Sequence, residues 1–427
     1  MLSTDDTESI TMVQLTLEHV SKHLTKDVIA KAFKLKTNSN DQVETIELTA
    51  AAPAGEGLIS AVYRIRVSGR EYEAKFIAKG LVSDILLRKS LDCTSFFQRE
   101  IMFFSKILPI LSDVQKTSGA KERIQDNIPL YYGCHLDGDN DYILLEDMSE
   151  TGCVSINIPT KRERDMTLKT LAHFHSVSLA LRVKKPDEFM KIAKGLEEFY
   201  YSERNRDWYS KYLQEAINIY TNVVVEMEDP KSIYYKKFND VVNTDVYAQL
   251  VDLSTTWGGH PVLNHGDAWF PNFLFGRDRA IAIDFQLCRC ASPAIDLSFF
   301  IMLCSHLCHT KDDYVESVEV YHKALTHYMK DMSMDIEKVF PFETLQEELK
   351  KYGKFGFLAA LSTIPLLASE RCDVMQSFEL KYNNVTRIPL EDLWKLSPIE
   401  YGNESQINVR DRTYLTIIYR MIQKRVY

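Results

Sequence analysis

Two strand-like runs, LISAVYRIRV (residues 58–67) and EYEAKFIAKGL (residues 71–81), are separated only by Ser68-Gly69-Arg70. Apolar residues recurring with a period near two on both sides of a glycine turn predict an antiparallel hairpin. A second pair follows in YYGCHLDGDNDYILLEDM (residues 131–148), where Asp137-Gly138-Asp139-Asn140 supplies the turn. Between the pairs, SFFQREIMFFSKILPIL (residues 95–111) carries Phe97, Ile101, Phe104 and Leu108 on one helical stripe, interrupted at Pro109. Residues 112–127 read as a polar loop, and Leu17, Val20, Leu24, Ile29 and Phe33 predict a leading helix over residues 13–35. The first third of the chain is thereby limited to a small antiparallel sheet with one helix packed against it.

After Met148 the periodicity becomes helical, with amphipathic stretches at about residues 160–183, 187–226 and 312–331. FGFLAALSTIPLLA is too short to span a bilayer and reads as a buried helix. The fold class is α+β, divided into an N-terminal lobe at 1–148 (leading helix, antiparallel sheet, glutamate-bearing helix and hinge) and a mainly helical C-terminal lobe at 149–427. The formal net charge of −9 excludes a dedicated phosphate-backbone binder, so nucleic acid is not an expected partner. The absence of a long apolar run excludes a membrane span, and the acidic start MLSTDDTESI lacks the features of a secretory signal, which predicts a cytoplasmic protein. Eight scattered cysteines agree with that compartment. Neither Cys288/Cys290 nor Cys304/Cys308 has the usual zinc-knuckle spacing, so buried core thiols are expected.

The helical half is broken once, by HPVLNHGDAWFPNFLFGRDRAIAIDFQ, whose two short apolar runs flank loops. Within it stand His265-Gly266-Asp267, Asn272 five residues after the aspartate, and Asp284 at the end of AIAID. Phosphoryl transfer needs one carboxylate to accept the attacking hydroxyl's proton, and an amide oxygen with a second carboxylate as hard ligands for Mg2+. The spacing offers Asp267 as the base, Asn272 and Asp284 as metal ligands, and His265 as a residue orienting the loop. Taken singly, such residues more often make turns; the ordered set over twenty residues points to chemistry. A kinase using ATP also needs a strand lysine and a helix glutamate, and Lys79 in FIAK and Glu100 in FFQREIMFF supply them in order, with Lys75 competing on the same strand. Gly55-Glu56-Gly57 and Ser60 precede and open the first strand, where backbone amides can approach phosphate. Glu146, Asp147 and Met148 close the small sheet, where a hinge's main chain can meet adenine. Asp296 is expected to cap a helix or brace the loop, His175 to be a core histidine, and the aromatic runs near Tyr200 and Trp208 to pack the core.

The ordered segments GEGLISAVYRI, FIAK, FFQREIMFF, ILLEDM, LAHFHSVSLAL, VLNHGDAWFPNFLF, AIDFQ and AIDLSFF resemble the ecdysteroid kinase-like family of arthropods, within the choline kinase and aminoglycoside phosphotransferase group, over roughly residues 30–370. The resemblance implies a protein-kinase-like two-lobed fold, Mg2+ and ATP as cofactors, and transfer of the γ-phosphate to a hydroxyl of a small molecule. Ecdysteroids or other hydroxylated compounds are the implied acceptors, in hormone inactivation or detoxification. It also implies that Lys79 contacts phosphate, with Glu100 as its ion-pair partner. The sequence departs from the protein-kinase pattern in its degenerate glycine loop, in Phe-Gln after Asp284 and in lacking Ala-Pro-Glu, which disfavours a peptide substrate. The alternatives are a choline or aminoglycoside-type kinase of a polar acceptor, and a nucleotide- or steroid-binding pseudokinase; the latter should have lost Asp267, Asn272, Asp284 or Lys79, and this chain retains all four.

Overall fold

The computed structural model describes residues 14–51, 59–83, 85–90, 92–156, 159–227, 229–304, 307 and 310–367. The chain forms two compact units, one from Met1–Val82 with Tyr132–Asp147, the other from Ser83–Tyr131 with Met148–Tyr427. The second unit includes the helix bearing Glu100.

In the first unit, helix α1 (Lys26–Thr37) precedes strands β1 (Thr45–Ala50), β2 (Ser60–Ser68), β3 (Glu73–Leu81), β4 (Tyr131–His135) and β5 (Tyr142–Glu146). The sheet order is β1-β2-β3-β5-β4. The expected hairpin pairs β2 with β3 from Ser68↔Glu73 to Ser60↔Leu81. Its turn is tied down by the Asp41 carboxylate, which accepts from the backbone N–H groups of Arg70 (3.1 Å), Glu71 (3.0 Å) and Tyr72 (3.1 Å). The hydrogen bond from Glu71 heads the interactions that hold Asp41 below the usual carboxylate range. Strand alternation sends Ala74, Phe76 and Ala78 into a core with Ile29, Ala32 and Phe33 of α1. Lys75, Ile77 and Lys79 fall on the other face. Gly80 is required by close packing, since a Cβ there would sit 2.5 Å from the carbonyl oxygen of Val20.

Two elements differ from expectation. The leading helix starts at Lys26, because Thr25 caps it by accepting from the Val28 N–H; among the described residues before it, Leu17–His19 form a short 3-10 turn, and residue 13 lies outside them. Strand β1 was not anticipated; TIELTA has weak apolar alternation, and its burial is correspondingly slight.

The second unit holds α2 (Ile85–Ser90), α3 (Cys93–Met102), α4 (Leu108–Thr117), α5 (Lys161–Lys184), α6 (Pro186–Gly195), α7 (Arg206–Met227), α8 (Ile233–Val242), α9 (Val246–Thr255), α10 (Ala294–Leu303), α11 (Lys311–Asp331), α12 (Ile336–Val339), α13 (Phe342–Tyr352) and α14 (Lys354–Leu367). Two short pairs complete it: β6 (Val262–Asn264) with β9 (Arg289–Ala291), and β7 (Phe273–Phe275) with β8 (Ala280–Ala282). The expected interruption at Pro109 takes the form of a π-helical turn, Phe103–Ile107, joining α3 to α4. The widened turn accommodates the proline ring, and the helix continues to Thr117 through part of the predicted loop. The stretch 187–226 is two helices, α6 ending at Gly195 and α7 beginning at Arg206. Helix α5 opens with a capping box, Thr160 with Glu163, and is buried along most of its length.

The π turn places Phe103, fully buried, flat against Phe285 with ring centroids 3.7 Å apart, while Phe174 meets Phe103 edge-on at 5.9 Å. This stack joins the π turn, α5 and the segment after Asp284. Phe103→Ala is expected to lower stability by about 3–5 kcal/mol, the usual cost of emptying a buried aromatic site; a denaturant titration followed by tryptophan fluorescence checks it.

Candidate active site

The loop between β6 and β7 carries His265, Gly266, Asp267 and Asn272. Its first anchor is Asp296, buried near the start of α10. The carboxylate accepts from the backbone N–H of His265 (Oδ2, 2.6 Å) and of Gly266 (Oδ1, 2.9 Å), and His175 Nε2 lies 3.2 Å from Oδ2. His175 is a core histidine, as expected, whose Nδ1 is 2.7 Å from the Tyr321 hydroxyl. Burial pushes the Asp296 pKa up, but the hydrogen bonds from His175 and the Gly266 backbone N–H favour the ionised form, and the group is held below the usual carboxylate range.

Gly266 has φ +86°, and a Cβ would lie 1.8 Å from the carbonyl oxygen of Leu287, so only glycine fits. His265 is engaged at both nitrogens: Nδ1 accepts from the Asp267 N–H at 3.3 Å and Nε2 donates to the Ile283 carbonyl at 2.9 Å. These partners fix the tautomer with its proton on Nε2. A second brace was not foreseen. Arg289 of β9, buried and ion-paired to Glu198 at 3.1 Å, donates to the carbonyl of Gly266 at 3.2 Å. Its sequence context, an arginine between two cysteines in an apolar run, carried no signal beyond that of a buried charge needing a partner.

Asp267 keeps a partly accessible edge, yet its carboxyl is enclosed enough that burial pushes its pKa up to about 6. Asn272 Nδ2 donates to Asp267 Oδ2 at 2.8 Å and to the Asp267 carbonyl at 2.9 Å. The β7–β8 pairing, Phe273↔Ala282, leads directly to a bond from the Ile283 N–H to the Asn272 carbonyl at 3.0 Å. Asp284 is the next residue, half-buried, with φ 63° and ψ 59°, a left-handed conformation that aspartate tolerates better than most residues. One hairpin base therefore holds both expected metal ligands, and the loop returning to it holds Asp267.

Trp269 and Phe270 divide their roles. Phe270 is buried against Phe300, with centroids 5.1 Å apart, whereas Trp269 is half-buried against the helical core. Tyr201 and Tyr209 lie in that core, with Tyr200 and Trp208 partly buried against it. Cys288, Cys290 and Cys304 are buried, and burial pushes the thiols of Cys288 and Cys290 up to about 12. Cys308 lies outside the described residues.

In the first unit, Lys79 is 6% exposed and lies between Val62 of β2 and Ile143 of β5, whereas Lys75 is only half-buried. Ser60 opens β2 opposite Leu81. Glu146 ends β5 opposite Phe76, and the buried Asp147 accepts from Arg64 Nε. Gly55 and Gly57 lie outside the described residues. In the second unit, Glu100 is buried on α3 and Met148 is buried beside Cys153 and Ile281.

A model of the ecdysteroid kinase-like family matches residues 54–334. The chain belongs to that family. Membership supports a small-molecule kinase as its class of activity, and the α+β class with an antiparallel sheet followed by helices is the one expected for it. No curated protein matches the sequence. Among solved structures it is similar to amicoumacin kinase hAmiN in complex with AMP-PNP, Ca2+ and Ami, at 13% identity and a TM-score of 0.40, covering 93% of this chain and 95% of that one. It is similar to a Plasmodium vivax ethanolamine kinase at 12% identity and a TM-score of 0.38, covering 88% of this chain and 80% of that one. It is similar also to the choline kinase LicA of Streptococcus pneumoniae at 14% and 0.36, covering 92% and 99%. These are distant likenesses. Among the described residues no helix is long and apolar enough to cross a membrane.

The Asp296 anchor has a pH signature. Its folded pKa lies below the unfolded value of about 3.9, so its contribution is fully present above that value and is lost as pH falls through the folded pKa. Asp296→Asn is expected to cost about 2–3 kcal/mol at neutral pH. Urea titrations of both proteins from pH 7 to pH 3 should show the gap closing below about pH 4.

Proposed function

We propose that this chain is an ATP-dependent kinase that transfers the γ-phosphate to a hydroxyl of an ecdysteroid or another hydroxylated small molecule. The observation that carries the reading is the single frame of Asp267, Asn272 and Asp284, two carboxylates and an amide gathered by one loop and one hairpin base. These donors suit magnesium: Asn272 spends its amide nitrogen on Asp267, which leaves its oxygen as the ligand atom, and Asp284 adds a carboxylate. Bound Mg2+ would supply charge neutralisation on the donor phosphates.

The chain's own residues do the rest. Asp267 orients the acceptor hydroxyl and takes up its proton as the oxygen attacks phosphorus. Burial favours that role, since a carboxylate whose neutral form is stabilised is a stronger base than an exposed one. Asn272 fixes one carboxylate oxygen of Asp267. His265, with both nitrogens engaged by backbone, holds the loop and takes no part in proton transfer. Lys79, the more enclosed of the two strand lysines, is assigned to the donor's phosphates, and the main chain near Glu146, Asp147 and Met148 to the adenine. In hormone inactivation or detoxification, a phosphorylated product would be anionic and no longer fit a receptor shaped for the free alcohol.

The test is mass spectrometry of a pool of steroids, plant alcohols, choline and amino sugars incubated with the protein, magnesium and ATP. A gain of one phosphate on an apolar alcohol is expected; a gain only on choline or an amino sugar moves the chain to polar acceptors. Asp267→Asn should lower kcat by about 10^2–10^4-fold with little change in nucleotide affinity. Wild-type turnover in that variant would remove Asp267 from the mechanism.

A further inference from the structure

The sheet-bearing unit gathers a second set of metal-type donors. His23 lies just before α1, His135 ends β4 and Asp137 opens the turn to β5. His23 Nε2 is 3.3 Å from Asp137 Oδ2, and His135 Nε2 is 3.2 Å from the same oxygen. The two imidazoles stack with centroids 3.9 Å apart and planes inclined by 27°. One ligand atom from each residue lies within 4.8 Å of the other two. A tetrahedral ion with bonds of about 2.0–2.1 Å separates neighbouring ligand atoms by about 3.3–3.4 Å. Two of the three separations already match that edge.

The donors are also held in place. Asp137 Oδ1 accepts from the backbone N–H groups of Asp139 (2.9 Å) and Asn140 (2.7 Å), and Asn140 Nδ2 braces both oxygens at 3.3 and 3.0 Å. His135 Nε2 is shielded from solvent and has no aligned hydrogen bond, although it sits within ion-pair distance of Asp137. A ring nitrogen so placed presents a lone pair to a cation as readily as a proton to a carboxylate. Cys134, the neighbouring residue on β4, points to the opposite side of the strand and is not part of the set.

We propose that His23, His135 and Asp137 form a zinc-type divalent metal site that clamps the segment before α1 to the β4–β5 turn. Two imidazole nitrogens and one carboxylate oxygen suit zinc or cobalt and are poor for magnesium, so this site is distinct in ion and position from Asn272 and Asp284. The clamp reinforces a junction that otherwise rests on the Ser21 hydroxyl donating to the Asn140 carbonyl at 2.6 Å and on the approach of Val20 to Gly80. The site is independent of the phosphoryl-transfer reading.

The test uses the full chain, stripped with chelator, and titrates it with Co2+ and then Zn2+. One Co2+ should bind with visible bands of tetrahedral type and no thiolate charge-transfer band, be displaced by Zn2+, and raise the melting temperature. His23→Gln and His135→Ala should each weaken binding by about tenfold or more and abolish the shift. His23 stands in a loop with its side chain 40% exposed, so His23→Gln should retain the wild-type circular dichroism spectrum. No saturable binding by the stripped protein, a thiolate-dominated spectrum, or unchanged affinity in both variants would overturn the site.

Discussion

The Asp296 carboxylate is the interaction on which the loop bearing Asp267 depends. It takes two successive backbone N–H groups, from His265 and Gly266, where a loop has no strand or helix to satisfy them. A neutral side chain offers one acceptor oxygen in place of two, and a longer carboxylate would displace the glycine already in contact with Leu287. The charge is tolerated in the core because His175 donates to it and Tyr321 in turn contacts His175. Helices α5, α10 and α11 are thus tied through polar atoms to one short loop, with Arg289 gripping the same loop from β9 at the Gly266 carbonyl.

The hairpin does the complementary work. Its register determines which residues flank its open end, and a one-residue slip would replace Asn272 or Asp284 by an apolar neighbour. Phe273 and Phe275 are buried, as are Ala280 and Ala282, so the register is specified by packing. Phe285 continues this logic by stacking on Phe103, which sets the chain direction immediately after Asp284. A left-handed backbone at a non-glycine residue costs roughly 1 kcal/mol, and the buried ring beside it offsets that cost.

Much of this was legible in the residues. The β2–β3 hairpin, the sheet closed by β4 and β5, helices α5, α11 and α14, and the loop bearing Asp267 all follow from periodicity and spacing. The loop could be read because its distinctive residues, His265, Asp267, Asn272 and Asp284, stand within twenty positions of one another. The bracing by Asp296 could be read only as an alternative to helix capping, since its partners lie thirty-one and thirty residues earlier. Arg289 could not be read, because its role is set by the meeting of β9, Glu198 and the Gly266 carbonyl. The start of α1 is not legible because helical spacing continues through residues engaged elsewhere, as where the Ser21 hydroxyl donates to the Asn140 carbonyl.

The same contrast explains why Asp267 stands out among the carboxylates. Asp296 is more deeply buried, yet its pKa is depressed because backbone amides and a histidine serve the ionised form. At Asp267 burial outweighs the hydrogen bond from the Asn272 amide, and its pKa rises. Two aspartates twenty-nine positions apart in sequence and joined through one loop are thus driven in opposite directions. The fully bonded one is committed to structure. Asp267 keeps a raised proton affinity at the loop's accessible edge, which is the property its proposed role as general base calls for.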